Sequence, residues 1–306
     1  MEKKIQTIRN FRIEYAMEDP SRPDDTDWYE KNSYLSSHEE YDERGNMIKS
    51  LSYNHAGDIH EHYRYTFDEE NRMVEQFVYF DENEIVEHHF FVYDDSNNQI
   101  QEKIIYEEGG EAIIEFFYDE NGNMVKRVQK DVDGEVEETE TFLFENGRML
   151  CSEMYDEENQ LRSRRNYEYN EQGKLVKFTY FTPEPGTGYV TEHYYNEKGL
   201  REKTLKYNSG NQLIEKTLFS YDEQDNVTEI IEEDPLTLKK TCLTYDDKNN
   251  AVKHEEYNRD DELLISIERT YHDDGKMFEA LVYSQNPAEN IRNMYTSKFE
   301  YTYFNE

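Results

Sequence analysis

From Ile59 to Phe67 the side chains fall into two alternating sets, Ile59, Glu61, Tyr63, Tyr65 and Phe67 against His60, His62, Arg64 and Thr66. From 161 to 169 the split is Leu161, Ser163, Arg165, Tyr167 and Tyr169 against Arg162, Arg164, Asn166 and Glu168. A period of two belongs to a half-buried β-strand, whose successive side chains point to opposite faces of the sheet. These segments are short, and each ends on an aromatic residue followed by Asp or Asn and then Gly or Asn, as in Tyr118-Asp119-Glu120-Asn121-Gly122-Asn123. Asp, Asn and Gly tolerate positive φ, and Asx side chains bond the local backbone, so the spelling predicts a tight turn.

The anchor aromatics stand at Tyr41, Phe67, Tyr93, Tyr118, Phe144, Tyr169, Tyr195, Tyr221, Tyr245 and Tyr271, 24 to 26 residues apart. A weaker series at Tyr53, Phe80, Tyr106, Lys130, Tyr155, Phe181, Tyr207, Glu233, Tyr257 and Tyr283 divides each unit into halves of 11 to 14 residues. Each half is the length of one strand plus one turn. The position two before the anchor is aromatic again at Tyr65, Phe91, Phe116, Phe142, Tyr167 and Phe219, which sets rings into ladders on neighbouring strands. Ten units in phase predict an all-β antiparallel hairpin repeat of about ten ~25-residue units and about 22 strands. Twisted sheets of more than about ten strands curl, split or close, so one curved or spiralling sheet with its aromatic face turned inward is expected.

Three regions follow. Residues 1–40 read as an N-terminal capping hairpin carrying an acidic loop, Met17 to Asp27, between strands at 5–16 and about 31–40. Residues 41–283 are the array, and 284–306 a C-terminal loop and capping strand at its other end. Departures from the unit stand out within the array. Thr182-Pro183-Glu184-Pro185-Gly186-Thr187-Gly188 lengthens one turn, Glu232-Glu233-Asp234-Pro235 replaces one aromatic, and Phe67-Asp68-Glu69-Glu70-Asn71 lacks its Gly.

Tyr-Asp-x-x-Gly-Asn, followed about a dozen residues later by an aromatic-Asn/Asp-x-x-Gly, resembles the YD repeat of Rhs-type proteins, matched best at Tyr41 to Asn46 and Tyr118 to Asn123. The resemblance covers about residues 41 to 283. It implies antiparallel hairpins winding into a shell; large members enclose a C-terminal toxin. This sequence has no Asp-Pro-x-Gly core motif, the nearest being Asp234-Pro235-Leu236, so neither a toxin cargo nor the aspartate-protease core is expected.

Only 35% of the residues are hydrophobic and 34% are charged, a balance that by itself leans towards disorder. An aromatic content of 14%, with 27 Tyr, offsets it, because a Tyr covers a thin sheet while its hydroxyl stays wet. With 34 Lys or Arg against 70 Asp or Glu the net charge is −36. Such a surface repels nucleic-acid phosphate and anionic lipid and attracts cations, so no nucleic acid and no membrane is expected as a partner. Met1-Glu2-Lys3-Lys4-Ile5-Gln6 is polar, which predicts neither signal peptide nor span, and Cys151 and Cys242 need no bridge, which points to a cytoplasmic home.

The turn 119–123 spaces oxygens as a calcium loop begins, yet Lys130 stands where the twelfth-position Glu belongs. Five histidines, His55, His60, His62, His88 and His89, read as exposed polar-face residues, and Cys151 as filler on the apolar face. No Walker, Gly-x-Ser-x-Gly or His-Glu-x-x-His signature occurs. No metal, no cofactor and no enzymatic activity are therefore expected. The expected function is that of an acidic binding protein, a cytoplasmic bacterial immunity or antitoxin-type factor that neutralises a basic protein such as a toxin. Its contacts are assigned to Asp24, Asp25 and Asp27, Glu137, Glu138 and Glu140, and Glu232, Glu233 and Asp234. The alternative is a carbohydrate-binding or scaffold repeat protein using exposed tyrosine ladders.

Overall fold

The computed structural model describes residues 3–17, 28–289 and 291–305. No helix occurs among them. In chain order the strands are β1 (Ile5–Met17), β2 (Trp28–Tyr41), β3 (Met47–Tyr53), β4 (Ile59–Phe67), β5 (Met73–Tyr79), β6 (Ile85–Tyr93), β7 (Gln99–Tyr106) and β8 (Glu111–Tyr118). They continue as β9 (Met124–Lys130), β10 (Val136–Glu145), β11 (Arg148–Asp156), β12 (Leu161–Tyr169), β13 (Leu175–Phe181), β14 (Tyr189–Tyr195) and β15 (Arg201–Asn208). The last are β16 (Leu213–Tyr221), β17 (Val227–Glu233), β18 (Leu238–Tyr245), β19 (Ala251–Tyr257), β20 (Leu263–Tyr271), β21 (Met277–Asn286) and β22 (Ile291–Tyr303). All 22 are strands of one sheet.

The turn chemistry explains why hairpins succeed one another so regularly. At Asp42 the carboxylate Oδ1 accepts the amides of Arg44 and Asn46 at 2.8 and 2.9 Å, and Oδ2 accepts the Asn46 side-chain amide at 2.9 Å. Across the same loop the Gly45 amide reaches the Asp42 carbonyl and Gly45 takes a φ of +92°. This is a three-residue hairpin loop, a type I turn closed by one left-handed residue. Asp119 repeats every one of these bonds, with Gly122 at +78°. Where the Gly is missing, Asn71, Asn97, Asp225 and Asn249 take positive φ in its place, so the units that look degenerate keep the same loop. Much of the weaker series folds the same way: Asn54 Oδ1 accepts the amides of Ala56 and Asp58, and Asp131 those of Asp133 and Glu135, while the turns after Phe80, Phe181 and Glu233 depart from it.

Alternation does not foretell what happens at the anchors. The ladder slips there by one residue, between Glu40 and Tyr41, Phe117 and Tyr118, Glu168 and Tyr169, and Thr270 and Tyr271. A bulge of this kind bends the strand and re-aims the side chain. At most Tyr anchors the re-aimed hydroxyl donates to a carbonyl at the start of the preceding strand, as in Tyr118 to Gln99, Tyr169 to Met149, Tyr195 to Leu175, Tyr245 to Val227 and Tyr271 to Ala251, all within 2.7 to 2.9 Å, whereas Tyr41 donates to Glu39 of its own strand at 2.6 Å. The ring pattern thus fixes neighbouring hairpins to one another by backbone carbonyls as well as by ring contact.

Two compact units divide the chain, one comprising residues 1–86, 227–230 and 238–306, the other 87–226 and 231–237. In the first, β18 to β22 continue through β1 and β2 to β5, because β1 is hydrogen-bonded on one side to β2 and on the other to β22. In the second, β7 to β16 pair in sequence, each with the next. The β1–β22 ladder runs from Ile5 opposite Tyr303 to Tyr15 opposite Met294. It corrects the expectation of an open curved or spiralling sheet with a cap at either end: the terminal strands are neighbours, and the strand order is the closed one of a β-barrel. The physical reason is that an edge strand carries a row of unpaired backbone groups, and pairing first with last satisfies both rows.

The core is thin, as the composition implied. Among the described residues Met17, Leu51, Ala112, Ile114, Val128 and Ala280 are the buried apolar residues, joined by polar Ser152, Ser163, Thr217, Thr241 and Thr296. Two further expectations are corrected. His62 is not an exposed polar-face residue: it is 2% exposed and stacked on Tyr79 at 4.2 Å. Cys151 pairs with Leu143 and Asn166, residues that alternate with Phe142, Phe144 and Tyr167, so the bulge before Phe144 places it opposite the aromatic face.

Candidate functional site

The acidic residues assigned to partner binding divide sharply. Asp24, Asp25 and Asp27 lie outside the described residues. Glu138 accepts Arg127 Nη1 at 2.9 Å, Glu140 accepts Arg165 Nη1 at 2.9 Å, and Glu137 accepts the Gln129 amide. The acid run on β10 therefore meets cations of its own chain. Asp234 accepts the amides of Leu236 and Thr237 and the Thr237 hydroxyl, which makes it a turn cap; Glu233 is exposed and Glu232 half-buried.

Further carboxylates cluster in the turns of the weaker series. In the second unit the successive turns 106–110, 131–135 and 156–160 contain eight Asp or Glu and no Lys or Arg. Sequence reasoning passed over them because each turn reads as loop chemistry by itself; only the hairpin pairing puts the three at the same end of adjoining strands. Anchor turns 94–98 and 119–123 also hold acids without a Lys or Arg, but several anchor turns are tied to the next by side chains. There Arg44 donates to the Asp68 carbonyl at 2.7 Å, Asn46 to Asn71 at 2.6 Å, Lys198 pairs with Asp225 at 2.7 Å, and Lys174 reaches the Gly199 carbonyl.

Electrostatics mark two histidines with opposite signs. His62 takes a hydrogen bond from Arg64 Nε on Nε2 at 3.3 Å, so its Nδ1 donates to the Asp81 carbonyl at 3.1 Å. Burial first, and then Arg64, push its pKa down. His89 lies between Glu102 at 2.8 Å and Glu87 at 3.1 Å, and the bond to Glu102 chiefly pushes its pKa up. Each imidazole is structurally committed on both nitrogens.

The lengthened turn singled out in the sequence, 182–188, borders a pocket of about 440 Å³ lined by Asp156, Gln160, Leu161, Arg162, Tyr180, Thr182, Pro183, Glu184 and Thr187. Asp156 Oδ1 accepts the amides of Glu158 and Gln160, and its Oδ2 stands 2.8 Å from Arg162 Nε. The Asp156 side chain is 14% exposed and that of Arg162 67%. Tyr180 packs on Tyr189 with ring centres 5.3 Å apart, and Glu184 is exposed.

Both faces of the sheet carry charge at mid-strand. In the second unit Glu102, Arg127, Glu138, Glu140 and Arg165 lie on the face of Phe116 and Tyr118, and Lys103, Glu115, Lys126, Glu153 and Arg164 on the other.

No protein-family model matches the sequence. No curated protein matches it either. Solved structures similar to it include a TcdB2–TccC3–Cdc42 complex, at 11% identity and a TM-score of 0.45, covering 90% of this chain and 19% of that one. A Photorhabdus luminescens Tc holotoxin pore follows at 11% identity and a TM-score of 0.28, covering 84% and 19%. A porin-like protein from Bacteroides uniformis is similar over 98% of this chain and 99% of its own, at 10% identity and a TM-score of 0.31. The chain spans about a fifth of the length of the two toxin components, and at these scores none of the three carries function across.

Proposed function

We propose that the chain is a non-enzymatic acidic binding protein of the YD-repeat kind, an immunity or antitoxin-type factor that binds a basic protein in the cytoplasm. The observation that carries this reading is the set of acid-only turns 106–110, 131–135 and 156–160, eight carboxylates on adjoining hairpins without a Lys or Arg among them. Like charges held together raise a local negative potential, which steers a cationic partner and is screened by salt. The contact surface moves accordingly from the β10 run, whose Glu138 and Glu140 are already paired, to the neighbouring turns. Charge on both faces supports a sheet in water, since a Lys or Arg at the bilayer midplane of a membrane barrel costs roughly 2–4 kcal/mol. The tyrosine-ladder alternative has less to stand on: the anchor hydroxyls are spent on backbone carbonyls.

The test is a pull-down at low ionic strength from the organism's own lysate. A basic protein retained at low salt and released as salt rises supports the reading. Retention independent of salt, or recovery of acidic proteins alone, contradicts it.

A further inference from the structure

The pocket beside the lengthened turn combines groups of three kinds that the acid-only turns do not. Leu161 and Pro183 supply apolar surface, Tyr180 a ring, and Asp156 and Glu184 two carboxylates from different hairpins. One guanidinium already occupies it, that of Arg162, on the Asp156 carboxylate. Asp156 is fixed by two turn amides and is 14% exposed, whereas Arg162 is 67% exposed. The acceptor is rigid, and the cation resting on it is loosely held.

We propose that this pocket receives an arginine side chain of the basic partner, and that Arg162 is a resident stand-in which the incoming guanidinium displaces. The proposal rests on the basic-partner reading and gives it a place. A pocket of about 440 Å³ lies in the range that admits small ligands. A planar guanidinium forks onto carboxylate oxygens and stacks on a ring while its stem covers apolar surface, so Tyr180, Leu161 and Pro183 suit an arginine better than a lysine. The Arg162 end of the pair is open to water, and an ion pair screened on one side holds its cation weakly, so exchanging that cation costs little. Asp156 also belongs to one of the three acid-only turns, so a partner drawn to them is delivered to the mouth of the pocket.

The experiment is calorimetric titration of the full chain with acetyl-Gly-Arg-Gly-amide and with the same peptide carrying citrulline, an uncharged isostere of arginine. Saturable binding of the arginine peptide alone is expected. Arg162→Gln removes the competitor and raises the affinity about fivefold, while Glu184→Gln and Tyr180→Ala lower it severalfold. All three side chains are removed without touching the Asp156 turn bonds, and circular dichroism checks that each variant stays folded. Equal binding of the two peptides, no saturable binding by the wild type and Arg162→Gln, or an affinity that Arg162→Gln leaves unchanged or lowers, overturns the proposal. If a basic protein is still retained in the salt-dependent pull-down, the pocket fails and the basic-partner reading stands; if both fail, the reading itself is wrong.

Discussion

The two series of turns are for the most part folded alike, yet they are held differently. At most Tyr anchors a re-aimed hydroxyl reaches the preceding strand's carbonyl, Tyr41 being the exception with Glu39, and Arg44, Asn46, Lys174 and Lys198 tie one turn to the next. In the weaker series Tyr155 gives its hydroxyl to Glu153 on its own strand, and Tyr283 to Gln285. The anchor end is thus stitched across hairpins by hydroxyls and cations, and the other, tied at His62–Asp81 and Lys240–Asp261, also presents the turns 106–110, 131–135 and 156–160 and the pocket. The difference teaches that the anchor end carries most of the inter-hairpin hydroxyl bonds, and the proposed recognition is placed at the other end.

Acid should act most visibly on the turn carboxylates held below their usual pKa, which are concentrated at the anchors, with Asp81 of the weaker series following in the same direction. Asp94, Asp119 and Asp246 have pKa values pushed down, first by the bond from the Asn four residues on, and Asp68 likewise, first by the Arg72 amide. A folded pKa below the unfolded value near 3.9 means that the contribution is present above that pH and is lost as pH falls through the folded values. Amide exchange, corrected for intrinsic rate, should therefore show the anchor turns 94–98, 119–123 and 246–250 opening together below about pH 4. Opening already at pH 6 would contradict the assignment.

Next in size are the left-handed glycines, where both ends should respond equally. Gly122 and Gly134 have φ of +78° and +80°, with open space where a Cβ would go. The cost of Ala at either is then backbone strain alone, about 1–2 kcal/mol, read from denaturant midpoints. A smaller and unequal effect is expected of the hydroxyls. Tyr169→Phe strands the Met149 carbonyl and should cost about 1 kcal/mol, whereas Tyr155→Phe, losing a bond to a solvent-accessible carboxylate on its own strand, should cost less than half of that. Equal losses would remove the distinction between the two ends.

The smallest effect separates the two histidines by sign. His62, with its pKa held down, contributes stability that is present above the unfolded value near 6.5 and is lost as pH falls below it. His89, with its pKa held up, contributes stability that is fully present below about 6.5 and is lost as pH rises through the folded value. His62→Gln should flatten the acid side of the stability profile and His89→Gln the alkaline side. NMR titration of the two ring signals reads the same directions.

Local spelling made the hairpins legible. The strands at 59–67 and 161–169 have the bounds the alternation implied, and the weaker turns fall where the second series stood. Even the unit without Gly was recoverable, since Asn71 is among the few residue types that accept its φ of 69°. The closure was not legible, because pairing Ile5 with Tyr303 is a contact that no periodicity encodes. Nor were the bulges, which move Cys151 to the other face and break the alternation at the point where it was being counted. Of the candidate site, the 182–188 turn was visible as an irregularity, whereas the pairing of Glu138 and Glu140 with Arg127 and Arg165 needed the register of three hairpins.

The most direct test compares equal charge removal at the two ends. One variant carries Asp133→Asn, Glu135→Gln, Glu157→Gln and Glu158→Gln in the weaker turns, the other Glu120→Gln, Glu171→Gln, Glu197→Gln and Glu223→Gln in the anchor turns. Both lose four negative charges, and binding of poly-arginine is measured at low salt. The account predicts a loss of at least about tenfold, near 1.4 kcal/mol, for the first variant and little change for the second. Equal losses would show that net charge alone governs binding and would contradict a division between the ends.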